Sequence, residues 1–195
     1  MNEHSTISND ASQHSEERDL LDRIASQERE ALTELYRRYY GRLFKFVYRM
    51  TGSHSASDEL VNDIMLIVWK GASSFRGDSK VSTWIFGIAY RQSLKRLSKK
   101  QLSVAADSDP DSLAAGDGRN LEREDWVRFG LDALPPAQRL TICLVFYVGL
   151  SYDEVAKATG CPVNTVKTRM FHARKKMKER LEESANAEHM GRGYQ

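Results

Sequence analysis

The sequence contains few of the residues from which disulfide frameworks, metal sites and catalytic centres are built. Only two cysteines occur among 195 residues, Cys143 and Cys161, and no Cys-x-x-Cys pair is present. The five histidines are scattered, and there is no glycine-rich phosphate loop and no nucleophile motif. No pair of acids stands out as a general acid and base. The sequence therefore predicts no metal, no cofactor and no enzymatic activity.

Long apolar runs are missing as well. No run approaches the roughly 20 residues that cross a bilayer, and the first residues are polar and acidic, unlike the apolar core of a secretion signal. Hydrophobic residues still make up 41% of the chain, which is enough for packed cores. We expect a cytoplasmic protein with no direct membrane insertion.

Strand patterns are absent too, and apolar residues recur at helical spacing along most of the chain. This periodicity predicts an all-α fold class, with two small helical domains joined by a flexible acidic linker. The expected segments are a disordered tail (1–17), a first domain (18–100), the linker (101–120), a second domain (121–183) and a second tail (184–195).

Several local signals predict where helices begin and end. In the first domain, Ser26 is the expected cap of the second helix, and Gly41 is a candidate bend. In the second domain, Pro135-Pro136 is expected to open a helix that Gly149 closes.

Charge is distributed unevenly, although the net charge is only +2. Residues 91–100 hold five cations and no acid, whereas residues 104–125 hold seven acids and two arginines. Two basic segments on either side of an acidic spacer predict two contacts with nucleic acid.

The stretch Ser151–Leu181 has the pattern of a helix-turn-helix. Ser151 and Glu154 have the spacing of a capping box, Gly160 is a natural helix stop, and Pro162 suits the first turn of the next helix. One apolar stripe follows at helical period, formed by Val166, Met170, Ala173, Met177 and Leu181.

The opposite side of that last helix is strongly basic. Seven Lys or Arg lie between Lys167 and Arg180 against one acid, and Phe171 stands among them. A basic helix alone is more often a solvated surface helix. The two-helix spacing, the one-sided charge and the aromatic residue together favour binding in the DNA major groove.

Two further helices carry candidate contacts. Along 80–99, Trp84, Phe86 and Tyr90 are interleaved with cations, a mixture that suits single-stranded DNA, although Trp84 and one other ring are expected in the core. The helix over 55–70 begins with a cluster of acids. The helix dipole explains part of that cluster, and the rest leaves room for a protein-binding face.

These patterns resemble the extracytoplasmic-function group of bacterial RNA polymerase sigma factors, in the sigma-70 family. The resemblance covers about residues 18–100 and 121–181. Its region 2 motifs are Leu35–Tyr39, Asp58–Val61, Ile67–Trp69, Ser74–Ser79, Thr83–Ile85 and Ile88-Ala89. Its region 4 motifs are Leu134-Pro135, Gly149–Ala156 and Cys161–Arg174. A helix-turn-helix alone is weakly specific, but both blocks in this order are strongly specific.

The resemblance implies that the chain binds core RNA polymerase, through its beta and beta-prime subunits, and directs it to promoter DNA. The implied polymerase contacts are Asp58, Glu59, Asn62, Asp63 and Leu66. The implied contacts with the promoter −10 element, with a flipped base near Phe75, are Phe75, Arg76, Asp78, Lys80, Thr83, Trp84, Tyr90, Arg91, Lys95 and Arg96. The implied −35 contacts are Asn164, Thr165, Lys167, Thr168, Arg169, Phe171, His172, Arg174 and Lys175, of which Arg169 is expected to be partly structural.

The chain departs from the family pattern at three places. Asn62–Met65 stands where many members carry Gln-Glu and an aromatic residue, Arg91 stands where Asn is frequent, and His172 stands where Arg is common. The preferred promoter bases therefore do not carry over. The resemblance also implies control by an anti-sigma factor.

Two other functions remain open from the sequence. One alternative is a stand-alone regulator that binds duplex DNA without polymerase. The other is an adaptor that mimics a sigma factor and titrates an anti-sigma factor. The intact basic face of residues 164–178 argues against the mimic.

Overall fold

The computed structural model describes the backbone of residues 3–106 and 121–191, and side chains over 12–99 and 127–183. Every regular element in these ranges is helical, which confirms the predicted all-α fold class. The elements in chain order are α1 (Glu3–Ala25), α2 (Arg29–Thr51), α3 (His54–Gly71), a 3₁₀ turn (Ala72–Ser74), α4 (Val81–Ala106), α5 (Leu121–Asp132), α6 (Pro136–Cys143), a π-helical turn (Leu144–Val148), α7 (Tyr152–Thr159) and α8 (Val163–Gly191). Residues 107–120 of the predicted linker lie outside the described residues.

Helices α1 to α4 pack around one apolar core and form the N-terminal unit. A stripe of α2 faces this core, formed by Leu35, Tyr39, Leu43 and Phe46, each at most 1% exposed. Phe46 meets Phe86 of α4 edge-on, with ring centroids 5.8 Å apart. This is a geometry that ring quadrupoles favour. Burying a side chain of this size contributes about 1.5–3 kcal/mol, so these contacts fix α4 against α2.

One local expectation about α2 is wrong. Ser26 does not cap the helix, because its hydroxyl donates to the Asp22 carbonyl at 3.1 Å and the N-cap position is occupied by Glu28. The helix continues through Gly41, and a bend at this residue stays a prediction. Glycine lowers helix propensity by about 1 kcal/mol, and the buried stripe on either side of Gly41 offsets that loss.

Helix α1 begins at Glu3, inside the segment 1–17 whose composition predicts a disordered tail. Two contacts hold the end of this segment against the rest of the unit. Glu17 is buried, and Glu16 pairs with Arg38 of α2 at 3.2 Å. Both contacts are polar, so they produce no apolar periodicity in the sequence from which this helix could be predicted.

Helices α5 to α8 form the C-terminal unit. Pro136 opens α6 and Gly149, at φ 81°, closes the π-helical turn that continues it, as the sequence predicts. Five residues share this wider turn. Its end residues Leu144 and Val148 are buried, while Phe146 and Tyr147 face outward with 59% and 41% of their surface exposed.

The two units pack against each other. Helix α7 lies along α4, α6 also contacts α4, and the π-helical turn contacts α2. Over the described stretches of the chain, no helix has the length and apolar character of a membrane span, and no cluster of metal-ligating side chains occurs.

Candidate nucleic-acid interface

Helices α7 and α8 form the predicted helix-turn-helix. The Ser151 hydroxyl accepts the Glu154 backbone N–H at 3.2 Å, and the Glu154 carboxylate accepts the Ser151 N–H at 2.9 Å. Both bonds of the capping box are therefore present. Gly160 adopts a left-handed conformation (φ 69°) that ends α7 and turns the chain into α8. The sequence signals at both helix ends are confirmed.

The apolar stripe of α8 faces the core of the C-terminal unit and sets the orientation of its outer surface. Val166, Met170 and Ala173 are each at most 1% exposed. On the other side, Phe171 has 66% of its surface exposed and lies edge-on to His172, with ring centroids 5.4 Å apart. An exposed ring of this size among cations is free to contact DNA bases or sugars.

The cations of α8 are held only loosely by neighbouring acids. Lys175 pairs with Glu179 at 3.8 Å and Lys178 with Glu182 at 3.6 Å, and all four side chains are more than half exposed. Exposed pairs of this kind contribute about 0–1 kcal/mol. The lysines can therefore exchange these partners for phosphates at little cost.

The loop before α4 presents a second aromatic and basic surface. The rings of Phe75 and Trp84 lie 5.5 Å apart in a tilted arrangement, and both are half-buried. Beside them, Arg76 and Asp78 pair at 3.2 Å and are among the most exposed side chains of the unit. Gly77, at φ 77°, allows the turn between them.

Helix α3 carries the acidic face, and three of its polar residues have partners within the N-terminal unit. The Tyr40 hydroxyl donates to Asp58 at 2.6 Å, and the Tyr36 hydroxyl donates to Asn62 at 3.1 Å. Hydrogen bonding to Asp58 raises the pKa of Tyr40. Glu59 accepts a hydrogen bond from Arg96 of α4. Asp63 and Leu66, the latter with 49% of its surface exposed, point to solvent.

One stripe of α4 contacts the C-terminal unit. We call Lys80, Thr83, Gly87 and Tyr90 the α4 stripe, since their spacing of 3, 4 and 3 places them on one helix face. Three contacts join this stripe to α7 and α8. Lys80 pairs with Glu154 at 3.5 Å, and the Tyr90 hydroxyl accepts a hydrogen bond from Arg169 at 3.4 Å. Between them, the backbone of Gly87 lies so close to α7 that an added Cβ would be 2.8 Å from the Ala158 carbonyl oxygen.

Comparison with known proteins assigns both units. Residues 35–102 match the family model of Sigma-70 region 2, and residues 125–177 match that of Sigma-70, region 4. The chain is 30% identical over 179 residues to the ECF RNA polymerase sigma factor SigK of Mycobacterium tuberculosis (strain ATCC 25618 / H37Rv), an alignment covering 85% of this chain and 93% of SigK. The chain belongs to the extracytoplasmic-function sigma factors.

Two further similarities agree with this assignment. The sigma factor YlaC of Bacillus subtilis (strain 168) is 26% identical, over 82% of this chain and 97% of YlaC. The sigma factor RpoE from Bartonella quintana, solved in complex with the anti-sigma factor NepR, superposes with a TM-score of 0.64 at 25% identity, over 77% of this chain and 96% of RpoE. As a sigma factor, the chain binds core RNA polymerase and promoter DNA.

The residues predicted to contact the −35 element gather on the outer face of α8. Seven are exposed: Asn164, Lys167, Thr168, Phe171, His172, Arg174 and Lys175. Thr165 and Arg169 are half-buried. Arg169 also lies 3.7 Å from the Cys161 sulfur, in addition to its contact with Tyr90, so its guanidinium holds parts of the sigma factor together.

The residues predicted to contact the −10 element divide into three groups. Exposed are Arg76, Asp78, Lys80, Arg91 and Lys95; half-buried are Phe75, Trp84 and Arg96; buried are Thr83 and Tyr90, with 1% and 4% of their surface exposed. The Tyr90 hydroxyl contacts Arg169 of α8, and the DNA contacts of Thr83 and Tyr90 stay predictions. Trp84, expected in the core, is only half-buried, whereas Phe86 is fully buried.

Two features of these surfaces were not predicted from the sequence. Tyr36 and Tyr40, which hold the acidic face of α3, lie four residues apart on α2, and that spacing is the signal that indicates one helix face. An apolar groove between α5, α6 and α8 was also missed. Val127, Leu131, Ile142, Phe146, Met177 and Leu181 line this groove.

Proposed function

We propose that this sigma factor directs core RNA polymerase to a small set of promoters, with region 2 in residues 18–100, region 4 in residues 121–183 and a linker over 101–120. Region 2 contacts the −10 element and helps to open the DNA, and region 4 contacts the −35 element. The protein makes no covalent bond itself and acts in the cytoplasm. The observation that carries the proposal is the outer face of α8, where an exposed Phe171 stands among cations backed by a buried stripe.

The −35 contact is supported by the arrangement of α8. The capped α7 and the buried stripe fix α8 in the C-terminal unit, so its outer face is rigid and one-sided. An α-helix of this kind fits the major groove, where Lys and Arg bind phosphates and guanine edges. Lys167 and Arg174 are exposed candidates for such contacts, and His172 adds a ring whose base preference differs from that of arginine.

The −10 contact is supported by the loop before α4. A flipped base needs an apolar face on which to stack, and the half-buried pair Phe75 and Trp84 provides one beside the exposed Arg76. Extracting a base costs a few kcal/mol, and stacking returns roughly 1–3 kcal/mol per base. Further along α4, Arg91 and Lys95 are exposed and can follow the phosphates of the opened strand.

The polymerase contact is supported by the acidic face of α3. This face is negative and therefore unsuited to DNA, while an exposed Leu66 beside Asp63 is suited to a protein surface with basic and apolar groups. Asp58, Glu59 and Asn62 are partnered within region 2. Asp63 and Leu66 are therefore the residues most open to polymerase.

Control by an anti-sigma factor is supported by the similarity to RpoE, which was solved in complex with the anti-sigma factor NepR. A tagged copy of this chain, purified from resting cells under gentle conditions, should carry a stoichiometric inhibitory protein. Purification without any bound inhibitor, from cells in which the target promoters are silent, would count against this control.

The decisive experiment combines run-off transcription with a gel shift. Specific transcripts should require both this protein and core polymerase. Lys167→Ala should weaken them, whereas Lys45→Ala, at an exposed lysine of α2 outside the predicted contact sets, should leave them nearly unchanged. Tight duplex binding without polymerase and no transcript would instead indicate a stand-alone regulator. Neither DNA binding nor transcript, with binding to an anti-sigma factor, would indicate the mimic.

A further inference from the structure

The first helix brings an arginine to the loop that precedes α4. Helix α1 packs against the 3₁₀ turn at Ala72–Ser74, which leads directly into that loop. Arg18 is exposed on α1, and its guanidinium lies against Gly77 in the middle of the loop. Arg18 also precedes residues 35–102, the part of the chain that matches Sigma-70 region 2, so that match does not cover it.

The end of the guanidinium rests on Gly77. A Cβ at this glycine would lie 2.8 Å from Nη1 of Arg18 and 3.2 Å from both Cζ and Nη2. Gly77 has a φ of 77°, in the left-handed region that glycine enters at no steric cost. Any other residue here would strain the backbone and displace the arginine. Gly77 therefore provides both the turn of the loop and the room for Arg18.

The position of Arg18 is set by the packing of α1 and not by the loop. Glu17, Leu20, Leu21 and Ile24 are each at most 5% exposed. Their spacing of 3, 1 and 3 marks the face of α1 that packs against the rest of the N-terminal unit. Arg18 directly follows the first of these buried residues, so its backbone is fixed at the edge of that face.

Arg18 has no ion-pair partner within the part of the chain that the structure describes. The acids nearest to it in the sequence are engaged elsewhere. Glu16 pairs with Arg38 at 3.2 Å, and Asp19 lies 3.7 Å from Arg23. The charge that Arg18 brings to the loop is therefore not neutralised by a described carboxylate.

A flipped base brings a need for such a cation. The rings of Phe75 and Trp84 offer a stacking surface but no charge for the phosphates that flank a flipped nucleotide. Arg76 pairs with Asp78 at 3.2 Å, so its charge is partly balanced within the loop. The planar fork of an arginine binds a phosphate through two parallel N–H donors. Arg18 offers such donors beside the loop, and no described acid occupies them.

We propose that Arg18 contacts a phosphate next to the flipped base of the −10 strand, so that α1 forms one wall of the −10 site. This inference rests on the proposed function for the DNA strand itself, and it adds a residue to the predicted −10 contacts, which begin at Phe75. The contact is with the backbone, because the ring pair holds the base while the guanidinium lies on the loop. A phosphate contact adds affinity without selecting the promoter sequence.

The test measures binding of holoenzyme, the full chain with core polymerase, to a fork-junction DNA whose −10 region is single-stranded. The DNA is taken from the promoter that gives the strongest run-off transcript. Arg18→Ala should weaken this binding about tenfold, the loss expected for one charge-assisted hydrogen-bond contact. Arg29→Ala, at an exposed arginine of α2 outside the predicted contact sets, should bind like the unaltered protein. Unchanged binding by Arg18→Ala would overturn the proposal.

A second measurement locates the contact on the strand. A neutral methylphosphonate replaces one phosphate of the −10 strand at a time. At one position beside the flipped base, the replacement should weaken binding by the unaltered protein about as much as Arg18→Ala does, and it should cause no further loss with Arg18→Ala. Losses that add at every position would overturn the phosphate contact.

A conservative variant separates this contact from a role in shaping the loop. Arg18→Lys keeps the charge but not the fork, so it should recover part of the binding that Arg18→Ala loses. Binding by Arg18→Lys as weak as that of Arg18→Ala would overturn the proposal in favour of a packing role on Gly77. Normal transcription with no effect of Arg18→Ala would overturn the contact alone. An unaltered protein that gives no run-off transcript would overturn the proposed function and the contact with it.

Discussion

The guanidinium of Arg96 lies 2.9 Å from the carboxylate of Glu59, and this contact joins α4 to α3 across the surface of region 2. Glu59 belongs to the predicted polymerase face and Arg96 to the predicted −10 face. One ion pair therefore links the two surfaces that a sigma factor must use together.

The first prediction separates the two roles of this pair. Glu59→Gln and Arg96→Gln should each change the free energy of unfolding by less than about 1 kcal/mol, because both side chains are well exposed. Glu59→Gln should weaken binding to core polymerase, and Arg96→Gln should weaken promoter opening without weakening polymerase binding. Urea unfolding, polymerase titration and open-complex footprinting measure the three quantities. Equal losses of polymerase affinity in both variants would contradict the division of faces.

A second prediction concerns neighbouring residues on opposite faces of α8. Phe171→Ala should leave stability nearly unchanged and weaken −35 binding, because the ring is 66% exposed. Met170→Ala should lower the free energy of unfolding by about 2–5 kcal/mol, because that side chain is 1% exposed and its loss leaves a cavity. Thermal unfolding and promoter binding by holoenzyme distinguish the effects of the two variants. The face assignment fails if Phe171→Ala unfolds as readily as Met170→Ala.

A third prediction uses salt to test the phosphate contacts. Lys167→Ala should weaken holoenzyme binding to different promoters by a similar factor and reduce the slope of log K against log salt by about 1. Lys45→Ala, at an exposed lysine of α2, serves as the control. A loss confined to one promoter sequence would indicate a base contact at Lys167 instead.

A fourth prediction follows from the hydrogen bond between Tyr40 and Asp58. That bond raises the pKa of Tyr40 in the folded protein, so the proton is held more tightly in the folded than in the unfolded state. The associated stability is present below the unfolded pKa of about 10 and is lost as pH rises through the folded pKa. Stability of Tyr40→Phe should therefore fall less between neutral pH and pH about 11, as urea midpoints would show. Parallel pH profiles would exclude this role.

Much of the helix-turn-helix was predictable because its signals are local. Ser151, Glu154 and Gly160 act within one or two turns of their own backbone, and the α8 stripe repeats at the helical period. The docking of the two units was not predictable. Tyr90 and Arg169 are 79 positions apart, and such a contact leaves no periodic trace in the sequence.

The same limit applies to Tyr90 as a candidate DNA contact. An aromatic residue among cations suits both a stacking surface and a buried interface, and the sequence does not distinguish these environments. The acidic face of α3 shows the same limit. The sequence predicts that Asp58 and Asn62 lie on this face, but it does not predict the hydrogen bonds that they accept from Tyr40 and Tyr36. The residue types on each helix face were therefore predictable, whereas the partners of those residues depended on tertiary packing.

The π-helical turn at Leu144–Val148 sets the rotational phase of everything that follows it. An α-helix advances 100° per residue, and a π-helical turn accommodates one residue more than an α-helical turn. Deleting a single residue here would restore an α-helical turn with nearly the same rotation, whereas rewinding the same five residues to α-helical geometry would rotate the downstream helices by about 100° about the axis of α6. Arg49 would then no longer face Tyr147, and the −35 surface would point in a new direction. The π-helical geometry of this turn therefore determines the direction of the helices that follow it, and with it every contact that α8 makes.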